Sequence, residues 1–140
     1  MSLHLSPVLL RQMLDHCHTE HPLEACGVLP GRGDRPEWHV PMANVSDHPA
    51  RRFAFDVEDE LAVYREIDAA GEDPVVVYHS HTASPPEPSG TDRAYFTDPN
   101  IHYVIVSTHD APGEWPRARS WRYVNGSLIE EPIIVAARCG

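Results

Sequence analysis

The run PVVVYHSHTASPPEPSGTD, Pro74 to Asp92, decides how this 140-residue chain is read. Its first half carries three consecutive valines and a tyrosine, the β-branched and aromatic types that suit a pleated, buried strand. Its second half passes through Pro85, Pro86 and Pro88 to Ser89-Gly90-Thr91-Asp92. A serine followed three residues later by an acidic side chain marks a helix start. The stretch therefore predicts a strand, a stiff loop and a short helix over SGTDRAYF, closed before Pro99.

His79 and His81 fall at the carboxyl end of that strand. Side chains alternate along a strand with period two, so both imidazoles project from one face, roughly 7 Å apart at Cα. The chain's other His-x-His pair, His16 and His18, falls on a predicted helix, where residues two apart point about 200° apart around the axis. Only the strand pair has chelating geometry. Two imidazoles leave a divalent ion short of ligands, and Asp92, in the first turn of the next helix, is the natural third donor. Taken alone, Ser89 and Asp92 also read as a plain capping box. The two readings compete, because a carboxylate committed to a backbone N–H is not readily a short metal ligand as well.

Glu24 is the only charge in LEACGVLPG, Leu23 to Gly31, a run whose small and β-branched apolar residues predict a buried strand. Pairing with an arginine or a place at an exposed strand end would account for it. Beside an open metal it acquires a chemical use, taking a proton from water and delivering it to a departing amine.

Outward from this centre the elements alternate. Ser6-Pro7 caps a helix carrying Leu9, Leu10, Met13, Leu14 and Cys17 at helical spacing and ending before Pro22. Gly31 to Pro36 reads as a turn, EWHVPMANV as a strand, and RRFAF, Arg51 to Phe55, as another. Asp56 caps a second helix from Val57 to about Ala70, with Leu61, Tyr64 and Ile67 on one side. HYVIVST is one more buried strand, and RSWRYV and SLIEEPIIV form a hairpin around Asn125-Gly126. Strands interleaved with two or three helices predict an α+β or mixed-sheet architecture, and the length suits one domain, residues 1–140.

All 11 basic residues are arginine and the formal net charge is −10. That balance excludes a nucleic-acid surface, and the absence of lysine excludes Schiff-base and phosphate-loop lysine chemistry. No apolar run is long enough to span a bilayer, and no secretory signal opens the chain, so the expected location is cytoplasmic. Cys17, Cys26 and Cys139 form no CxxC pair; the first two read as buried small hydrophobes and the last as exposed. His4, His16, His18, His21, His39 and His48 read as surface residues, and His102 and His109 as half-buried ones outside the site. Trp38, Trp115, Trp121 and Phe55 read as core or interface anchors. The Pro-Cys-x-x-Cys run that a zinc deaminase needs is absent.

With Glu24, His79, His81, Ser89 and Asp92 assembled, the chain resembles the JAMM metalloprotease family, also called MPN-plus. That signature is an upstream glutamate, then His-x-His, seven residues, Ser, two residues and Asp, and the spacing here is the same. HPLEACGVLPG and VVVYHSHTASPPEPSGTD resemble in particular the bacterial stand-alone branch, the sulfur-carrier peptidases. Many family members have proline after the second histidine; this chain has Thr82, which that branch tolerates. The chain also lacks room for the long insertions by which deubiquitinating relatives grip ubiquitin.

The resemblance implies a curved mixed sheet flanked by helices and one Zn²⁺ ion with a catalytic water, held by His79, His81 and Asp92. It implies Glu24 as general base and acid and Ser89 as oxyanion donor. The implied partner is a ubiquitin-like sulfur carrier protein ending in Gly-Gly, cut so as to release cysteine for cysteine biosynthesis. Deconjugation of another ubiquitin-like modifier and a non-catalytic MPN-type scaffold are the alternatives. A homodimer is among the assemblies the sequence permits.

Overall fold

The computed structural model describes residues 1–109 and 117–136. The elements run β1 (Leu3–Leu5), α1 (Pro7–Glu20), β2 (Cys26–Arg32), β3 (Arg35–Pro36), β4 (Val40–Met42), α2 (Val57–Ala69), β5 (Asp73–His81), α3 (Gly90–Tyr95), β6 (His102–Ser107), β7 (Ala118–Val124), β8 (Ser127–Glu131) and β9 (Ile133–Val135). The α+β architecture expected from the sequence is present: a mixed seven-stranded sheet runs β3-β2-β5-β6-β7-β8, with β4 also paired to β2. Only β5 and β6 are parallel; the other pairs in this sheet are antiparallel.

Each helix starts and packs for a local reason. The Ser6 hydroxyl accepts the Leu9 N–H at 3.2 Å and Pro7 occupies the first turn of α1. Leu9, Met13 and Cys17 then recur every four residues as the buried stripe, each large side chain contributing about 2 kcal/mol. They meet Leu29, Val76, Tyr78, Val104 and Val106 on one face of the sheet. The opposite face carries Cys26, Val28, Val77 and Ile105 against residues of α2 and the neighbourhood of α3. Because β5 is buried on both faces, its alternation assigns Tyr78 and Ser80 to the α1 side and His79 and His81 to the other.

Several expectations need correcting. RRFAF is extended but joins no ladder: the Asn44 side chain takes the place of a partner strand, donating to the Arg52 carbonyl at 2.9 Å and accepting the Ala54 N–H at 3.1 Å. EWHVPMANV contributes only the three residues of β4, and Arg35–Pro36, read as part of a turn, closes a short hairpin on β2. The buried stripe of α2 runs through Val63, Tyr64 and Ile67, leaving Leu61 52% exposed. Pro132, which lacks an N–H, separates β8 from β9, and β9 pairs in parallel with β1, a strand the sequence does not announce. The hairpin at Asn125-Gly126 is as expected, with φ of 50° and 85° at its two central residues. Cys17 and Cys26 are buried, whereas Cys139 and Trp115 lie outside the described residues. Among those residues no helix is long and apolar enough to cross a membrane.

Candidate metal centre

The parallel pair β5–β6 forces a crossover, and that crossover carries the proline loop and α3 over the carboxyl ends of both strands. It brings three donors together. Nε2 of His79 and Nε2 of His81 lie 3.1 Å apart, and Oδ2 of Asp92 lies 3.2 Å from the first and 3.0 Å from the second. All three side chains are buried. The sequence set metal binding and helix capping against each other at Asp92, and the structure resolves the contest. The same Oδ2 accepts the Ser89 N–H at 3.0 Å while the Ser89 hydroxyl accepts the Asp92 N–H at 3.1 Å, so the capping box aims the carboxylate at the histidines.

The donor set fits a cation. His81 Nδ1 lies 3.1 Å from the Pro85 carbonyl oxygen, which can only accept. The ring hydrogen therefore sits on Nδ1, and in the neutral ring Nε2 offers a lone pair to the same point as His79 and Asp92. A tetrahedral ion with bonds of about 2.0–2.1 Å spaces its donors about 3.3 Å apart, close to the separations found here.

Charge in the cluster is divided accordingly. Burial alone would raise the Asp92 carboxyl, but the hydrogen bonds from His79 and His81 outweigh it and hold the group far below the usual carboxylate range. Burial lowers His79 despite Asp92. Burial also disfavours protonated His81, yet its bonds to Asp92 and Pro85 and the fields of Asp92 and Glu24 overcome this and leave it raised.

Glu24 is only 6% exposed and stands two residues before the start of β2 at Cys26. The turn that places it is gripped from several sides. Ser80, lying between the two histidines, accepts the Ala25 N–H on its hydroxyl at 2.8 Å and donates its own N–H to the Ala25 carbonyl at 3.0 Å. The Glu24 N–H bonds the Pro49 carbonyl at 2.8 Å, and Asn44 donates to the Glu24 carbonyl at 3.0 Å. Burial raises the Glu24 carboxyl from 4.5 to about 7, with His81 pulling it down and Asp92 pushing it up. A carboxyl in that range exchanges protons readily near neutrality.

A cleft of about 430 Å³ opens beside Asp92 and Ser89, walled by Arg51 to Phe55 on one side and by Thr91, Tyr95 and Phe96 on the other. The inner edge of the 52–54 segment is tied to Asn44 and Val45. Among the described residues, the Phe53 backbone has no partner.

All five candidate residues, Glu24, His79, His81, Ser89 and Asp92, thus gather at one end of the β5–β6 pair. Sequence reasoning missed Ser80, Asn44, Phe53 and the Pro85 carbonyl, which carry no signal beyond their positions next to the motif or to a predicted strand. His102 is fully buried rather than half-buried, and it lies at the other end of β6 in a network with Glu131, Asp34 and Arg122. His16 and His39 are not free surface residues, since both reach the buried Tyr78 hydroxyl, at 2.6 and 2.7 Å.

Comparison with known proteins adds an independent line. Residues 6–124 match the family described as prokaryotic homologs of the JAB domain. The CysO-cysteine peptidase of Mycobacterium tuberculosis is 45% identical over 129 residues, covering 91% of this chain and 86% of that protein. The desampylase of Haloferax volcanii is 39% identical over 88 residues, 61% of this chain and 63% of the relative. The solution structure of protein DSY2949 from Desulfitobacterium hafniense superposes with a TM-score of 0.81 at 30% identity, covering 99% and 94% of the two chains. AF2198, a JAB1/MPN domain protein from Archaeoglobus fulgidus, shares the fold with a TM-score of 0.61 at 20% identity, over 95% and 98%. The motif, the sheet that gathers it and a family match over most of the chain agree, and the chain belongs to the prokaryotic JAB family of JAMM-type metallopeptidases.

Proposed function

We propose that this protein is a zinc-dependent peptidase that cuts after the C-terminal diglycine of a ubiquitin-like sulfur carrier protein and releases cysteine. The observation that carries the reading is the convergence of the His79, His81 and Asp92 donors beside a buried glutamate and an exposed serine, in a chain 45% identical to a CysO-cysteine peptidase. His79, His81 and Asp92 would hold the ion. When bound, zinc supplies a Lewis acid that acidifies water and polarises a carbonyl.

The rest is done by the chain. Glu24 accepts a proton from the attacking water as its oxygen bonds to the glycine carbonyl carbon. It returns that proton to the cysteine nitrogen as the carbon–nitrogen bond breaks. Ser89 uses an oxygen lone pair for the cap, so its hydroxyl hydrogen stays free to donate to the carbonyl oxygen as that atom becomes negative. The cleft supports an extended tail as substrate. The unpartnered Phe53 backbone offers a short strand-like edge, and glycine lets a chain pass close to the buried donors. The free thiols of Cys17 and Cys26 suit a reducing, cytoplasmic setting.

The desampylase relative supports a second reading, deconjugation of a ubiquitin-like modifier from an amine on another protein. One assay separates the two. Incubation with a carrier bearing a C-terminal cysteine should shorten it to the diglycine form, read by mass, and a chelator should stop the reaction. An intact cysteine-terminated carrier alongside cleavage of an isopeptide-linked conjugate would transfer the activity to the second reading.

A further inference from the structure

The two candidate histidine ligands are supported differently. His81 donates its Nδ1 hydrogen to the Pro85 carbonyl at 3.1 Å, the usual outer-shell arrangement that fixes a ligand's tautomer and ring orientation. His79 has no such bond. Its ring is fully buried and its Nδ1 has no hydrogen-bond partner. Aromatic rings surround it instead. Phe53 stacks on the imidazole with centroids 4.5 Å apart and planes 23° apart. Phe96 meets it in a T-shaped contact at 5.4 Å and is itself backed by Tyr103, stacked at 4.2 Å.

We propose that Phe53 is a positioning residue for the metal centre. Its stacked ring, with Phe96 abutting the imidazole in an edge contact and lying 6.4 Å from Phe53, orients His79 in place of the hydrogen bond that orients His81. A stacked plate limits rotation of the imidazole about its χ2 axis, the motion that would swing Nε2 away from Asp92 and His81. Phe53 also walls the cleft beside Ser89 and Asp92. The residue that holds one ligand is therefore part of the surface a substrate tail would meet. This inference rests on the reading of His79 as a metal ligand but not on the identity of the substrate.

The test is zinc affinity, measured by competition with a chromogenic chelator on purified full-length protein. Phe53→Met keeps bulk without a flat ring and should weaken zinc binding about tenfold or more, the usual cost of losing an outer-shell partner. Phe53→Tyr keeps the plate and should bind zinc within about twofold of the parent. Tyr95→Met alters a 75% exposed aromatic residue that lines the same cleft and should also bind as the parent does; a tenfold loss there would overturn the proposal as a general packing effect. Unchanged affinity in Phe53→Met would overturn it, as would a Tyr variant no better than the Met variant. A parent protein that binds no zinc would remove the metal reading and this inference together. Normal zinc binding with the expected variant pattern but no cleavage of the cysteine-terminated carrier would refute the proposed substrate alone.

Discussion

Replacing Glu24 with glutamine should abolish cleavage and yet make the metal-free protein more stable at alkaline pH. The Glu24 carboxyl stands at about 7 when folded, against an ordinary 4.5, chiefly because burial penalises its charged form. A carboxyl raised in this way favours the fold fully below the lower value, and that advantage is lost as pH climbs through the upper one. The gap is about 2.5 pH units, and at about 1.4 kcal/mol per unit its full weight is about 3 kcal/mol. Residual solvation of the carboxylate trims this, so the expected effect is about 1–3 kcal/mol. Glutamine has the same shape and no titration. Wild type and Glu24→Gln should therefore differ little near pH 4.5, and the variant should be ahead by about 1–3 kcal/mol at pH 8. For a chain of this length that is a rise in melting temperature of about 3–9 °C. Urea denaturation in the presence of a chelator at the two pH values measures it. Zinc saturation should shrink the difference, because a nearby cation favours the ionised form. A stability difference that stays flat between the two pH values would refute the desolvated carboxyl and with it the argument for a base poised near neutrality.

Two further substitutions probe the frame of the site. Ser89→Ala removes both the cap and the free hydroxyl; stability should fall by about 1 kcal/mol and kcat, measured at saturating zinc, by about a hundredfold or more. Unaltered turnover would leave Ser89 a cap alone. Gly27→Ala places a methyl group 2.5 Å from two ring carbons and the hydroxyl oxygen of Tyr78, and that ring cannot swing away while His16 and His39 hold its hydroxyl. The overpacking should cost about 1–3 kcal/mol, and a thermal melt indistinguishable from wild type would show that the ring yields.

The parts of the molecule legible in the sequence are those with a local cause. His79 and His81 share a face because strand side chains alternate, and α1 is bounded by Ser6, Pro7 and the residues before Pro22. The parts that were not legible depend on distant chain. Nothing local in three residues at Leu3–Leu5 says that they pair with Ile133–Val135. RRFAF has the composition of a strand, but whether it joins a ladder depends on what lies alongside, and there the Asn44 side chain satisfies its inner edge. His16 and His39 look like surface residues until a buried phenol needs two partners. The site followed the same division. Spacing marked His79, His81 and Asp92, an isolated charge in an apolar run marked Glu24, and the family resemblance added Ser89, whereas the stacking of Phe53 on His79 and the grip of Ser80 on the Glu24 turn exist only after the sheet has closed.

The single oxygen of Asp92 that seals the first turn of α3 also faces both imidazoles. Winding that helix and gathering the donors are therefore one event, completed when the polypeptide acquires its shape. An arriving cation would meet a cradle already shut on three sides, with little left to reorganise. Its residence there would be governed by shedding and regaining its own hydration, while any loosening of the helix's first turn would be felt at once as a weaker grip.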